Sequence, residues 1–313
     1  MIRDLRASEY RPASPPSKSL AFARDDIVRE AGRSRATAMD GTGNPRLRPT
    51  PTRALTIAVT APRTLTCKRG FAANLAAHLA VRVAGDALSV CVADTDIESR
   101  DVGTRFGIDG PTLLEVANNV TLRDARVPLG DTITRIDPPG LHVLPTRLPQ
   151  SALVPLLHTK TIGLLGPLRA AFDFVVIDAP VSVGLGPYDW ERTMLRHVDV
   201  LVVAVTAEAS ALGGVLRYLN AIAAAKNNGA LPETFDAHVV LTGRDEDGSR
   251  SLLGEHDIDR KLRGIPVIAS VPQLWGRQRP ESPLDLDFHA GLHRDFSPIV
   301  ERLTEDARNR RPD

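Results

Sequence analysis

From Ala54 onward, short apolar runs alternate with segments in which apolar residues recur at helical spacing. The runs occupy residues 55–59, 88–93, 141–145, 174–178, 199–206, 237–242 and 266–271. Several are apolar at consecutive positions, as in Phe174-Val175-Val176-Ile177 and Val200-Leu201-Val202-Val203-Ala204-Val205. Strands of this kind are buried on both faces and belong to a parallel sheet covered by helices. The 3.6-residue pattern and its terminators predict helices over 68–84, 111–118, 151–171, 189–197, 210–227, 251–262 and 288–308. Together these elements predict an α/β fold: a doubly wound, mostly parallel sheet of about seven strands with helices on both faces, and any ligand at the carboxyl ends of the strands.

The pattern does not reach the start of the chain. Residues 1–52 carry Pro12, Pro15, Pro16, Pro45, Pro49 and Pro51, nine arginines and few apolar residues, so they read as a disordered Pro/Arg-rich tail. The folded domain is expected over 53–305, followed by a polar tail over 306–313. With a net charge of +1, no global field draws the protein to nucleic acid or to an anionic membrane. Cys67 and Cys91 are the only cysteines and form no paired motif, which excludes a disulfide framework or a cysteine-ligated metal cluster and fits a cytoplasmic protein. The longest apolar stretches have about ten residues, half of the roughly 20 that a membrane span needs, and the first residues lack a signal-peptide core.

Candidate chemistry gathers at three strand ends. The run Leu55 to Val59 leads into Thr60-Ala61-Pro62-Arg63-Thr64-Leu65-Thr66-Cys67-Lys68-Arg69-Gly70, and a helical pattern with Phe71, Leu75, Leu79 and Val83 leads out. Strand, loop and helix in that order can cradle phosphates with backbone N–H groups and a lysine. The chain has five lysines against 34 arginines, so the lysine at position 68 stands out. Asp94 and Asp96 follow one apolar run, and Asp178 follows another. A carboxylate so placed can hold the water shell of Mg2+ or orient an attacking water, although a strand-end aspartate can equally cap the next loop.

The order Ile57-Ala58-Val59-Thr60, Lys68, Ala72-Ala73-Asn74-Leu75-Ala76, Ala93-Asp94-Thr95-Asp96 and Val175-Val176-Ile177-Asp178-Ala179-Pro180 resembles the MinD/ParA branch of P-loop ATPases. The resemblance covers roughly 54–303 and implies ATP or ADP as ligand, Mg2+ as its companion, and a face-to-face homodimer. It also implies protein partners of a division, partition or secretion system. The family loop K-G-G-x-G-K-[ST] matches Arg63, Thr64, Leu65, Thr66, Cys67, Lys68 and Arg69. Thr64, Leu65 and Cys67 replace glycines that let backbone approach phosphate without a Cβ in the way. Arg69 replaces the hydroxyl that ligates Mg2+, and a guanidinium repels a cation, which argues against magnesium binding. Arg244, after the run 237–242, and Pro272, after the last run, match the places where the family holds the base.

Three functional readings stay open. The first is a nucleotide-binding regulatory or positioning protein, in septum-site determination, partition or polar placement of an apparatus, with weak or lost ATPase activity. The second is a nucleotide-free pseudo-ATPase scaffold in which Lys68 or Arg69 pairs with Asp178 or Asp96. The third is a working ATPase with an unusual loop. A related tyrosine kinase is disfavoured because the only tyrosines are Tyr10, Tyr188 and Tyr218. The C-terminal residues offer no apolar face to a bilayer, so direct membrane insertion is not expected, and DNA contact through the Arg-rich ends stays open. Lys68→Ala is expected to leave the fold intact and to abolish nucleotide binding.

Overall fold

The computed structural model describes residues 54–61, 68, 70–96, 101–122, 129–137, 140–146, 154–180, 193–244, 255–263, 265–272 and 290–310. The chain divides into two units, 1–46 and 47–313, and the described residues all belong to the second. The expected N-terminal tail, the loop positions Arg63, Thr64, Leu65, Thr66, Cys67 and Arg69, and residues 189–192 of the predicted helix at 189–197 lie outside them.

Eight strands form one sheet: β1 (Leu55–Thr60), β2 (Val90–Asp94), β3 (Thr134–Ile136), β4 (Leu141–Leu144), β5 (Phe174–Asp178), β6 (Val200–Thr206), β7 (Asp236–Arg244) and β8 (Val267–Pro272). Their order is β3-β4-β2-β5-β1-β6-β7-β8. All neighbours run parallel except β3, which pairs antiparallel with β4 at the edge. β3 is the strand beyond the seven expected, and its three residues are too few to show a period.

Described helices are α1 (Phe71–Val83), α2 (Asp101–Phe106), α3 (Leu113–Leu122), α4 (Val154–Ala171), α5 (Ala209–Asn227), α6 (Glu255–Leu262) and α7 (Ala290–Asn309). Alternate residues of each strand point to opposite faces, so one strand feeds two cores. Ile57 and Val59 pack with Phe71 and Leu75 of α1, Phe106 of α2 and Phe296 and Leu303 of α7. Ala58, Val175, Ile177 and Val203 pack with Leu113 of α3, Leu168 of α4, Leu212 of α5 and Leu262 of α6. The sheet is therefore covered on both sides, as the doubly apolar runs require.

The amino edge of the sheet is tied to the chain's last described residues. Asp199, 3% exposed, accepts the Thr56 N–H at 2.9 Å and pairs with Arg169 at 3.3 Å and Arg310 at 3.2 Å. Arg310 also donates to the Thr234 carbonyl at 2.7 Å, which fastens the end of α7 beneath β6 and β7.

Candidate functional site

β1 lies between β5 and β6, where the chain's crossovers change direction, and the carboxyl ends of β1, β2 and β5 face one crevice. Register pairs Val59 with Asp178 and Asp94 with Asp178, so the sheet itself brings the carboxylates of two strands side by side. Lys68 enters this crevice three residues before α1. Its ammonium lies 2.6 Å from Asp178 Oδ1, 2.6 Å from the Ala179 carbonyl and 2.7 Å from Asp96 Oδ2. Lys68, Asp96 and Asp178 are each at most 2% exposed, so this is a buried ionic cluster.

The turn after β5 is fastened from several sides. Ala179 N–H donates to the Val59 carbonyl at 3.0 Å, and Thr95 donates to the Asp178 carbonyl through N–H at 3.0 Å and Oγ1 at 2.9 Å. Thr60 Oγ1 donates to the Pro180 carbonyl at 2.9 Å. Asp178 therefore has no freedom to follow a moving ligand. Thr60, Thr95 and the Ala179 carbonyl escaped the sequence reading, because a threonine beside an acidic residue is unremarkable until the fold sets the turn beside it.

Burial alone would lower the Lys68 pKa, but the nearby Asp178 and Asp96 carboxylates outweigh it and hold the ammonium above the ordinary 10.5. Asp94 is pushed well above the usual carboxylate range, first by burial and then by the neighbouring charge of Asp178, with Lys68 opposing. Its Oδ1 accepts the Asp96 N–H at 3.1 Å, while its Oδ2 has no partner among the described residues. A buried carboxylate oxygen left open in this way favours a proton or a cation.

Gly70 opens α1 with φ at 69°, a left-handed conformation that glycine adopts without strain. Its carbonyl accepts Asn74 N–H at 3.0 Å and Asn74 Nδ2 at 2.6 Å, and Arg105 of α2 donates to Asn74 Oδ1 at 3.2 Å. The first turn of α1 contains no acidic residue to repel an anion at its amino end. Lys68 and the amino end of α1 suit a phosphate, whereas a hydrated cation at Asp94 would first have to displace the proton that burial favours there. Arg244 and Pro272 end β7 and β8 as paired neighbours, three and four strands from β5 across β1 and β6, and their side chains lie outside the described residues.

No protein-family profile matches the chain. A septum site-determining protein MinD of Helicobacter pylori (strain ATCC 700392 / 26695) is 26% identical over 203 residues, covering 63% of this chain and 71% of that protein. The Aquifex aeolicus MinC:MinD cell division protein complex contains a chain that matches with a TM-score of 0.59 at 17% identity, over 80% of this chain and 96% of that one. This is a MinD/ParA-like P-loop ATPase fold. The Pyrococcus horikoshii OT3 septum site-determining protein MinD, complexed with Mg-ADP, has the same fold with a TM-score of 0.58 at 15% identity, over 83% of this chain and 100% of that one. Within this fold, the order of β1, Lys68, α1, Asp94, Asp96 and Asp178 is the order in which the sequence motifs occur.

Proposed function

We propose that the chain is a MinD/ParA-like nucleotide-binding regulatory protein that positions a septum, a partitioning complex or a polar apparatus, with ATPase activity weakened or lost. The reading rests on the likeness to the Helicobacter pylori septum site-determining protein and on the fold shared with the Mg-ADP complex. One observation carries the loss of activity: Lys68 is already committed to three oxygens. A phosphate that recruits Lys68 must break or share a buried ion pair. Breaking such a pair costs about 3 kcal/mol at the lower end, which lowers affinity about a hundredfold.

Charge adds to the obstacle. Lys68 faces the carboxylates of Asp96 and Asp178, with Asp94 held towards its protonated form beside them, and a triphosphate brings further negative charge. Arg69 follows Lys68 in the sequence and Arg63 precedes it by five positions, and on this reading their charge takes the place of a metal ion. Bound nucleotide would supply the differential contact that changes affinity for a protein partner, in a homodimer or with a second protein such as the one joined to MinD in the Aquifex aeolicus complex. The scaffold reading, with no nucleotide at all, is favoured by the same three-way engagement of Lys68.

Titrating a fluorescent ATP analogue with Mg2+ and with EDTA, alongside phosphate release, tests the proposal. Weak binding that changes little with EDTA, and turnover near background, are expected. Tight, metal-dependent binding with sustained turnover would instead support the working ATPase.

A further inference from the structure

At the amino edge of the sheet, away from the nucleotide crevice, three side chains converge from β7 and α7. His238 Nε2 lies 3.3 Å from Asp306 Oδ2 and 3.8 Å from Asp236 Oδ2, and the three atoms lie within 4.8 Å of one another. From this geometry we propose that Asp236, His238 and Asp306 form a site for a first-row divalent transition metal, with Zn2+ the ion that fits best.

Distance supports it first. Zinc binds imidazole nitrogen and carboxylate oxygen at about 2.0–2.2 Å, which sets neighbouring ligands of a tetrahedron about 3.4 Å apart. The 3.3 and 3.8 Å separations bracket that edge, so small rotations of the carboxylates close the site.

The remaining carboxylate oxygens are anchored elsewhere. Asp236 Oδ1 accepts the Ala237 N–H at 2.8 Å, and Asp306 Oδ1 lies 3.3 Å from Arg302 Nε. Each carboxylate thus has one oxygen held by a donor and the other directed at His238, the outer support that orients metal ligands. Without a cation, the two facing oxygens repel each other across one imidazole.

Burial supplies a pocket and an entrance. The His238 side chain is 8% exposed and Asp306 11%, while Asp236 is 47% exposed, leaving a solvent-facing position for a water ligand. Arg302 Nη2 stands 3.9 Å from Asp236 Oδ2, but that arginine is 48% exposed and this contact is cheap to exchange. Ligands on β7 and α7 would let the ion pin the C-terminal helix to the sheet. That helix also packs on α1, where Phe296 stacks on His78 at 4.7 Å and lies 5.3 Å from Phe71.

The test uses the full chain, stripped with EDTA and returned to chelator-free buffer. Zn2+ is titrated by calorimetry and Co2+ by its visible absorption. One ion per chain with a nitrogen/oxygen ligand spectrum is expected, and Asp236→Asn and Asp306→Asn should each weaken it at least about tenfold. His238→Ala should abolish it in protein whose circular dichroism is native. Asp236→Asn, at a half-exposed position, decides the matter if the histidine variant fails to fold. No stoichiometric ion, or equal affinity in Asp236→Asn, would overturn the proposal.

Discussion

At the scale of single residues, Lys68 is both the expected phosphate ligand and the centre of a buried ion cluster, and these two roles predict different mutants. Sequence reading expects Lys68→Ala to spare the fold. Burial to 1% changes that expectation, because removing the cation leaves Asp178 and Asp96 uncompensated in a dry site. Losing one partner of such a cluster costs about 3–5 kcal/mol, so urea unfolding of Lys68→Ala should show a large drop in midpoint. A midpoint unchanged from the wild type would mean that the cluster contributes nothing to stability. Asp94 provides the opposite case. Its folded pKa is raised, so the native state holds a proton that the unfolded chain has released above about 3.8. Stability from this group is therefore highest in acid and falls as pH rises through the raised pKa. Asp94→Asn mimics the protonated acid and should unfold at a higher temperature than wild type at pH 8, with the difference shrinking towards pH 4. A less stable variant at pH 8 would indicate that the charged form is the favoured one. Neither pKa direction was legible in the sequence, since both arise from three strand ends that only the sheet brings together.

At the scale of elements, the long doubly buried strands were legible and the short pieces were not. β5 is apolar from Phe174 to Ile177 and β6 from Val200 to Val205, and the structure places both where the pattern predicts. α2 was missed because its six residues span fewer than two turns and carry Gly103 in their middle. That glycine explains how α2 packs: a Cβ there would meet Pro145 Cβ at 2.8 Å and the Ile108 carbonyl at 3.0 Å. Both neighbours are stiff, one a proline ring and the other backbone. Overpacking of this kind costs about 1–3 kcal/mol, so Gly103→Ala should lower the denaturation midpoint and loosen α2 from β4. Hydrogen exchange should report that loosening at residues 101–108, whereas a stability equal to wild type would show that the helix can shift at no cost. The pairing of His238 with Asp306 was hidden for a different reason. Asp236 and His238 sit two apart on one face of β7, a signal a strand reading could use, but the third member is 68 residues away on α7.

At the scale of the whole molecule, topology makes the site from local pieces. Strand order puts β5 between β2 and β1, so Asp94 and Asp178 meet across sequence distances that no local motif spans. Among the described residues, no helix is long and apolar enough to cross a membrane. Nucleotide acts on the whole molecule by mass action, adding about 2.7 kcal/mol of stability at a ligand concentration 100 times its dissociation constant. Weak binding should therefore leave the thermal midpoint nearly unmoved at millimolar ATP, with or without Mg2+, and a rise of several degrees only with Mg2+ would contradict the charge argument. With just five lysines in 313 residues, the ammonium groups can be observed individually by 15N-lysine NMR. That spectrum tests most directly whether Lys68 is held by carboxylates until a phosphate competes for it. The account predicts one protected ammonium signal that persists above pH 10.5, disappears in Asp178→Asn and shifts only at high ATP. Five rapidly exchanging signals with ordinary titration, or a Lys68 signal that moves at micromolar ATP, would contradict it.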